Sequence, residues 1–469
     1  MCINAYSQAD SNTWSPALPP HYSFIHYDDN VIGEYKELDS FYYKLVRLHH
    51  SKKGRVNIIH IGDSHTQADG VTSVVRNGLQ DFFGDAGRGL VFPYQLANSN
   101  APHDIKSSSA SSWKSNRLTS PDKPIKTGIS GYGIHSSGQN ASVHLGLKDM
   151  DGHQERFNRM VFFVCNDNVC YKLTDSNLNY PVIINSKPGD GDPTLVVNTD
   201  SFISSFQLSK VSAPTGTDYS FYGVSLEKRD SSGVLYHTIG VNGARYDQFL
   251  QNTLFWQQLK ALQGDLFIVS LGTNEAQNPS VNEQSLMAIC DSFVKMIHTI
   301  APHAAILITT PAGSYYKKKK PNKSLQNVTD ALLHTCNTKK IAYWDLLHIS
   351  GGVGGATAWK KSDLISQDLV HYNNAGYLLQ GSLLLNALAK GYNNYEKTHP
   401  YRAVKAQPKE VGKPKTVKTE VVKATITPKP TAEQKAPPPQ VHPPVPLTIT
   451  PDQETVRPNS NIKVEYSDK

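Results

Sequence analysis

The chain has 469 residues, 38% hydrophobic and 19% charged, long enough for two or three domains. It contains no run of 18 or more apolar residues, which argues against a transmembrane helix. The net charge of +7 is concentrated at the end: Tyr401–Lys469 holds 12 Lys/Arg and 7 Asp/Glu. The remainder is nearly neutral, so no nucleic-acid partner is expected.

At the N-terminus, Ala5-Tyr6-Ser7 has the small residues of a signal-peptidase site, but no basic or apolar segment precedes it. The expectation is that Met1 lies inside a longer signal peptide and that the protein is exported to the periplasm or cell envelope; a ragged cytoplasmic N-terminus is the alternative. Residues 1–50 form a lead-in, with a helix expected over Glu34–His49. Arg55–Ile61 is rich in β-branched residues and predicts a short buried strand. It runs into Gly62-Asp63-Ser64, after which Val71, Val75, Leu79 and Phe82 recur at helical spacing. This is a strand–turn–helix unit with a serine at the turn, in a segment running from 51 to 97.

Between residues 98 and 236 the composition shifts to Ser, Gly, Asn and Asp. Short alternating runs such as Ser142–Leu147, Arg159–Val164, Thr194–Val197 and Ser220–Leu226 predict an inserted β-sandwich or jelly-roll domain. Cys165 and Cys170 flank Asn166-Asp167-Asn168; a disulfide could staple that turn in an oxidising compartment, and two reduced thiols are the alternative. From 237 to 397 strands and helices alternate again: strands at Asp265–Leu271, Ala304–Thr309 and Ile341–Asp345, helices at Ser285–Ile300, Ser324–Cys336 and Asn374–Ala389. Such alternation predicts a parallel sheet covered on both faces, with ligands beyond the carboxyl ends of its strands. Residues 398–469 read as a disordered Pro/Lys-rich tail, since 12 of the 28 prolines lie between Tyr401 and Lys469.

Ester hydrolysis by serine needs an activated hydroxyl, a base, a group that orients the base, and donors for the oxyanion. Ser64 lies between a strand and a helix, where free N–H groups and a positive potential converge. Asp368-Leu369-Val370-His371 precedes the last helix, a spacing that can set a carboxylate behind an imidazole. Gly272-Thr273-Asn274 follows a strand and offers an amide, while Gly240-Val241-Asn242-Gly243 offers a glycine N–H. Each piece alone is weak; their order and placement along the chain carry the argument.

These blocks resemble the GDSL/SGNH hydrolase family. The resemblance spans residues 55–95 and 237–390 and implies a flavodoxin-like parallel sheet with flanking helices. It implies a Ser64–His371–Asp368 triad and an oxyanion hole formed by the Ser64 N–H, the Gly243 N–H and the Asn274 side chain, with Gly240 as the alternative glycine. Glu275 stands where many members have Asp, and little consequence is expected. Gly62-Asp63-Ser64-His65-Thr66, followed by a β insert, is similar to a narrower group, the Gram-negative peptidoglycan O-acetylesterases, whose insert resembles a carbohydrate-binding module. That likeness implies an acetylated glycan partner carrying 6-O-acetyl-N-acetylmuramic acid. Trp113, Tyr132, Tyr171, Tyr180 and Tyr222 are the aromatic candidates for stacking on sugar. Lys317–Lys320 could meet stem-peptide carboxylates, or be a solvated loop.

No cofactor or metal is expected, because serine, histidine and aspartate suffice. Two other readings stand beside this one. The first is an acetylesterase or O-acetyltransferase acting on another polysaccharide. The second is a non-catalytic glycan-binding envelope protein. The sequence leaves the oligomeric state open.

Overall fold

The computed structural model describes residues 13–402, apart from short gaps at 123–124, 139, 151, 153–154, 165–168, 179–181, 186–193 and 213–217. Helix α1 (Asp39–Ser51) leads into strand β1 (Arg55–Gly62), the short helix α2 (Ser64–Gln67) and helix α3 (Gly70–Phe83). A series of strands follows: β2 (Gly89–Val91), β3 (Ile105–Ser108), β4 (Lys114–Arg117), β5 (Tyr132–Ser136), β6 (Ser142–Leu147) and β7 (Phe157–Val164). It continues through β8 (Cys170–Thr174), β9 (Val182–Asn185), β10 (Thr194–Ile203), β11 (Ser205–Ser212) and β12 (Tyr219–Glu227). The chain then alternates through β13 (Gly233–Gly240), α4 (Tyr246–Leu250), α5 (Thr253–Leu259), β14 (Leu266–Ser270), α6 (Glu283–Ile300) and β15 (Ala305–Thr309). The small hairpin β16 (Tyr315–Tyr316) and β17 (Lys320–Pro321) precedes α7 (Ser324–Lys339), β18 (Ala342–Trp344), α8 (Leu346–Ile349), α9 (Gly352–Lys361) and α10 (Asn374–Thr398).

The parallel sheet has the order β13-β1-β14-β15-β18. In chain order this is 2-1-3-4-5, the doubly wound pattern whose strand order reverses between its first and third strands. Here that point lies between β1 and β14, which pair from Ile58↔Leu266 to Gly62↔Ser270. Successive side chains of β1 face opposite layers. Val56 and Ile58 join α1, α3 and α10 in one core, and Ile59 and Ile61 join a second core with α6, α7 and the antiparallel strands. Those strands form two further sheets, β10-β7-β12-β5-β4, with β2 also on β12, and β3-β6-β11-β8-β9.

The structure departs from the sequence expectations at four places. The first helix begins at Asp39 rather than Glu34, because Glu34 is left-handed (φ 47°) and Tyr35–Leu38 is a 3-10 turn. Strand β13 spans the position where the second α/β segment was expected to start; all eight of its residues are buried, so no alternation marks it. Antiparallel pairing begins ahead of residue 98, since β2 pairs with β12 from Val91↔Val224 to Gly89↔Leu226. The last helix continues past Ala389 to Thr398, and residues from 403 onward lie outside those described. Cys165 and Tyr180 also lie outside them, and with Cys165 the choice between a Cys165–Cys170 bridge and two thiols.

Helices α3 and α10 pack side by side through glycines. A Cβ on Gly70 would come within 2.8 Å of Tyr377 Cβ, one on Gly78 within 2.2 Å of Leu385 Cδ2, and one on Gly381 within 2.8 Å of Val74 Cβ. The contacting pairs 70/377, 74/381 and 78/385 advance together by four residues, so the helices run parallel in a fixed register along their i, i+4 ridges. Each pair has the same sequence separation, 307, that divides Ser64 from His371.

At the corner between α2 and α3, Asp69 is left-handed (φ 62°). Its buried carboxylate accepts from Arg76 at 2.9 Å and from Arg88 at 2.7 Å, and Arg88 also holds Asp104. This network ties the corner to the start of the antiparallel region.

Gly381→Ala would place its methyl 2.9 Å from the Val71 carbonyl oxygen, a backbone atom with little room to give. It should destabilise the fold by about 1–3 kcal/mol in urea denaturation. Gly354→Ala in α9, where a Cβ meets nothing within 4 Å, should be neutral or stabilising by up to about 1 kcal/mol.

Candidate active site

The residues singled out from the sequence converge beyond the carboxyl ends of β1 and β14. Ser64 opens α2 directly after β1, with Asp63 as its cap. The Asp63 side chain accepts from the His65 N–H at 2.9 Å, and its carbonyl accepts from Thr66 and Gln67. His371 Nε2 lies 2.7 Å from Ser64 Oγ, and His371 Nδ1 lies 2.7 Å from Asp368 Oδ2. With Nδ1 protonated toward the carboxylate, Nε2 is left as an acceptor for the serine hydroxyl.

The loop carrying Asp368 and His371 is pinned on several sides. Asp368 Oδ1 accepts from the N–H groups of Val370 and His371, both at 2.9 Å. Leu369 is left-handed (φ 61°) and buried; its carbonyl accepts from Tyr315 N–H of the β16–β17 hairpin at 2.8 Å, and Ser366 N–H donates to the His371 carbonyl at 2.7 Å. Burial works against charge on Asp368, but these N–H groups and the imidazole hold its carboxyl below the usual range. It therefore stays an anion across the neutral region.

Gly243 and Asn274 line one cleft of about 620 Å³ with Ser64 and His371. The two loop glycines have separate reasons to be glycine. Gly243 has φ +80°, while a Cβ on Gly240 would sit 2.2 Å from Gln67 N. Gly240 is thus a packing residue in β13, and Gly243 is the one facing the cleft. Asn274 Nδ2 donates to the Ala244 carbonyl at 2.9 Å and, more weakly, to Asp63 Oδ2 at 3.3 Å.

Several contributors had no clear sequence signal. Gln67 is buried and acts as a hub: Nε2 donates to the Asn100 carbonyl at 2.8 Å, and Oε1 accepts from Tyr132 OH and Asn242 N–H, both at 2.8 Å. It locks the serine turn to the Gly243 loop and to the antiparallel region. His65 donates or accepts at Tyr377 OH (3.1 Å) and its ring centroid lies 5.1 Å from that of His371. Burial, then the neighbouring His371, push its pKa down to about 3, so it remains neutral beside His371.

Glu275 has more consequence than expected. Its Oε1 accepts from Tyr246 N–H at 2.9 Å, fastening the start of α4 and thus the Gly243–Ala244 loop. Its Oε2 is buried with no partner among the described residues. Burial pushes the Glu275 carboxyl up to about 7 and that of Asp63 up to about 6.

The aromatic candidates fare differently from expectation. Tyr132, Tyr171 and Tyr222 are core residues at 2% exposure or less. Trp113 packs edge-on against Tyr219 and donates to Ser109. They fill the interior of the antiparallel sheets because large rings between sheets bury the most apolar surface. Lys317–Lys319 form the turn of the β16–β17 hairpin and Lys320 opens β17; all four are exposed, and the Lys317 ammonium lies over the Tyr316 ring. Among the described residues, His26, Asp29 and His348 form a group able to ligate a metal, with ligand atoms within 4.8 Å; none of them lines the Ser64 cleft.

Residues 200–379 match the model of the GDSL-like lipase/acylhydrolase family. That span includes Gly243, Asn274, Asp368 and His371, and leaves out Ser64. No curated protein matches. Among solved structures, a peptidoglycan O-acetylesterase superposes with TM-score 0.65 at 21% identity, covering 77% of this chain and 99% of its own. A lipase/acylhydrolase from Enterococcus faecalis (TM-score 0.27, 15% identity, 34% of this chain and 77% of its own) is a more partial likeness. So is a family two carbohydrate esterase from Cellvibrio japonicus (TM-score 0.26, 10% identity, 62% and 99%). The first likeness establishes a shared fold.

The folded chain holds the Glu275 proton more tightly than the unfolded chain, whose carboxyl titrates near 4.5. Stability should therefore fall as pH rises from about 4.5 to about 7. Glu275→Gln should be more stable than the parent at pH 8, by on the order of 1–3 kcal/mol, with the gap closing near pH 4. Urea midpoints at the two pH values check this; a gap independent of pH would count against it.

Proposed function

We infer that this chain, a carboxylic ester hydrolase carrying a GDSL-like lipase/acylhydrolase domain, removes O-acetyl groups from a cell-envelope polysaccharide. The substrate we assign is 6-O-acetyl-N-acetylmuramic acid in peptidoglycan, and the catalytic group is Ser64–His371–Asp368. The carrying observation is the continuous relay of two 2.7 Å hydrogen bonds, from Ser64 Oγ through His371 to Asp368.

In this reading Ser64 Oγ attacks the acetyl carbonyl carbon while His371 Nε2 takes its proton. Asp368 holds the imidazole in the needed tautomer and offsets the imidazolium charge. The carbonyl oxygen becomes an oxyanion facing the Ser64 N–H, the Gly243 N–H and Asn274 Nδ2. The long Asn274–Asp63 contact is the one most readily exchanged for that oxyanion. Collapse breaks the bond to the sugar oxygen, which leaves with the proton from His371. Water then attacks the acetyl-enzyme, giving its proton to His371, and acetate departs as Ser64 is restored.

The cleft mixes Asn100, His103, Asn242 and Asn374 with Val370 and Tyr377, a lining that supports a short acyl group on a hydrophilic carrier. The antiparallel region, residues 98–236 in our reading a carbohydrate-binding insert, contributes Asn100 and His103 to that cleft. The likeness to a peptidoglycan O-acetylesterase structure agrees with this substrate. A glycan in the envelope implies export, which the proposal includes.

Acetate release from O-acetylated peptidoglycan, with muropeptides followed by mass spectrometry, is the test. Ser64→Ala should leave almost no release. Asn274→Ala should lower kcat about a hundredfold or more, as expected for losing about 2.7–4 kcal/mol of oxyanion stabilisation. Full activity in Ser64→Ala would end the esterase reading; faster release from acetylated xylan than from peptidoglycan would move the substrate.

A further inference from the structure

Beside the Ser64 cleft lies a second hollow of about 220 Å³, and the two share Ala68, Gly70, His103 and Asn374 as a common wall. The hollow is cut between the first turns of α3 and α10. Gly70, Ser73 and Asn77 form one stripe of α3, spaced i, i+3 and i+7. A substrate strand leaving the cleft along these helix starts would enter it directly.

Charged and polar residues make up most of its lining. Arg76 lines the hollow with its side chain 4% exposed. Its Nη1 is engaged by Asp69, yet its Nε–H has no acceptor among the described residues. Asn77 Oδ1 likewise has no donor among them. Both atoms are shut off from solvent behind the wall, so the polar groups that reach the hollow from α3 belong to the partly exposed residues Ser73 and Asn77. Glu155, from the antiparallel region, adds a carboxyl whose pKa burial pushes up, against the pull of Arg88.

The charge balance selects a neutral ligand. Asp69, Asp104 and Glu155 would repel a carboxylate, while Arg76, with Arg88 behind it, would repel an ammonium. Met150 and Leu378 line the hollow and are 37% and 51% exposed. Apolar edges around a few convergent polar groups suit a sugar ring with a methyl-bearing arm. The hollow has room for one pyranose.

We propose that this hollow is a glycan subsite, holding the N-acetylhexosamine next to the acetylated sugar. The partly exposed residues Ser73 and Asn77 hydrogen-bond that sugar, and Leu378 and Met150 cover its acetamido methyl and C–H face. The assignment rests on the glycan-esterase reading for its substrate, but it concerns binding rather than chemistry.

The experiment compares Asn77→Ala and Leu378→Ala with the parent on O-acetylated peptidoglycan and on p-nitrophenyl acetate. The ratio of the two kcat/KM values should fall about fivefold to tenfold in each variant, chiefly through KM on the glycan. A ratio unchanged in both variants overturns the subsite. A second measurement is saturation-transfer NMR of an N-acetylglucosamine trimer with Ser64→Ala protein. The signal should weaken when Asn77→Ala or Leu378→Ala is added; an undiminished signal overturns the proposal. Binding lost in those variants, with no turnover of acetylated peptidoglycan by the parent, would uphold the subsite and sink the substrate assignment instead.

Discussion

Everything at the Ser64 cleft depends on the register of α3 against α10. Three glycines let the two helices approach closely along their i, i+4 ridges, and the 307-residue offset of those contacts also separates Ser64 from His371. The serine turn leads into α3 and the histidine loop leads into α10. Locking the helices therefore locks the two chain segments ahead of them. A slip by one ridge would move one helix by about 6 Å, four residues at 1.5 Å each, and no side-chain adjustment could then restore a 2.7 Å hydrogen bond. Precision in the relay is thus derived from backbone packing, which resists deformation because protein interiors are close-packed.

Around that pair the remaining parts hold the loops. Asp69 joins Arg76 and Arg88 at the corner after the serine turn, and Arg88 carries the connection on to Asp104. A buried pair is costly to break, because a single partner is left uncompensated; the corner is therefore stiff. Gln67 performs a similar service with neutral groups, bonding Asn100, Tyr132 and Asn242 at once. These contacts explain how the antiparallel region can line the same cleft as Ser64 and His371. They share one hydrophobic core with the β1–β14 face of the parallel sheet.

The electrostatics divide along the same lines. Asp368, half-exposed and surrounded by N–H groups, is kept ionised. Asp63, in contact with Asn274, and Glu275, bonded to Tyr246 N–H, are raised by burial. Their oxygens anchor the Ser64 turn and the Gly243–Ala244 loop, so the fold accepts an energetic cost in order to hold donors in position. Such conflicts between local stability and site geometry are characteristic of functional positions.

The sequence by itself determined the local units. The β-branched run before Gly62, the helical spacing after it, and Asp-x-x-His before a final helix depend only on neighbours, and each reappears with nearly the expected bounds. The alternation of strands and helices was also enough to indicate a parallel sheet. Only the tertiary structure decided the long-range choices. Strand β13 is invisible to a periodicity argument because both its faces are buried. The choice between Gly240 and Gly243 turned on Gln67, far away in sequence, occupying the space beside Gly240. Tyr132, Tyr171 and Tyr222 carry the same side chain in a core as at a sugar platform, and burial alone separates the two. Gln67 and Arg76 have no spacing that marks them. Their roles come from what the fold brings beside them, and that is information the chain holds only once it is packed.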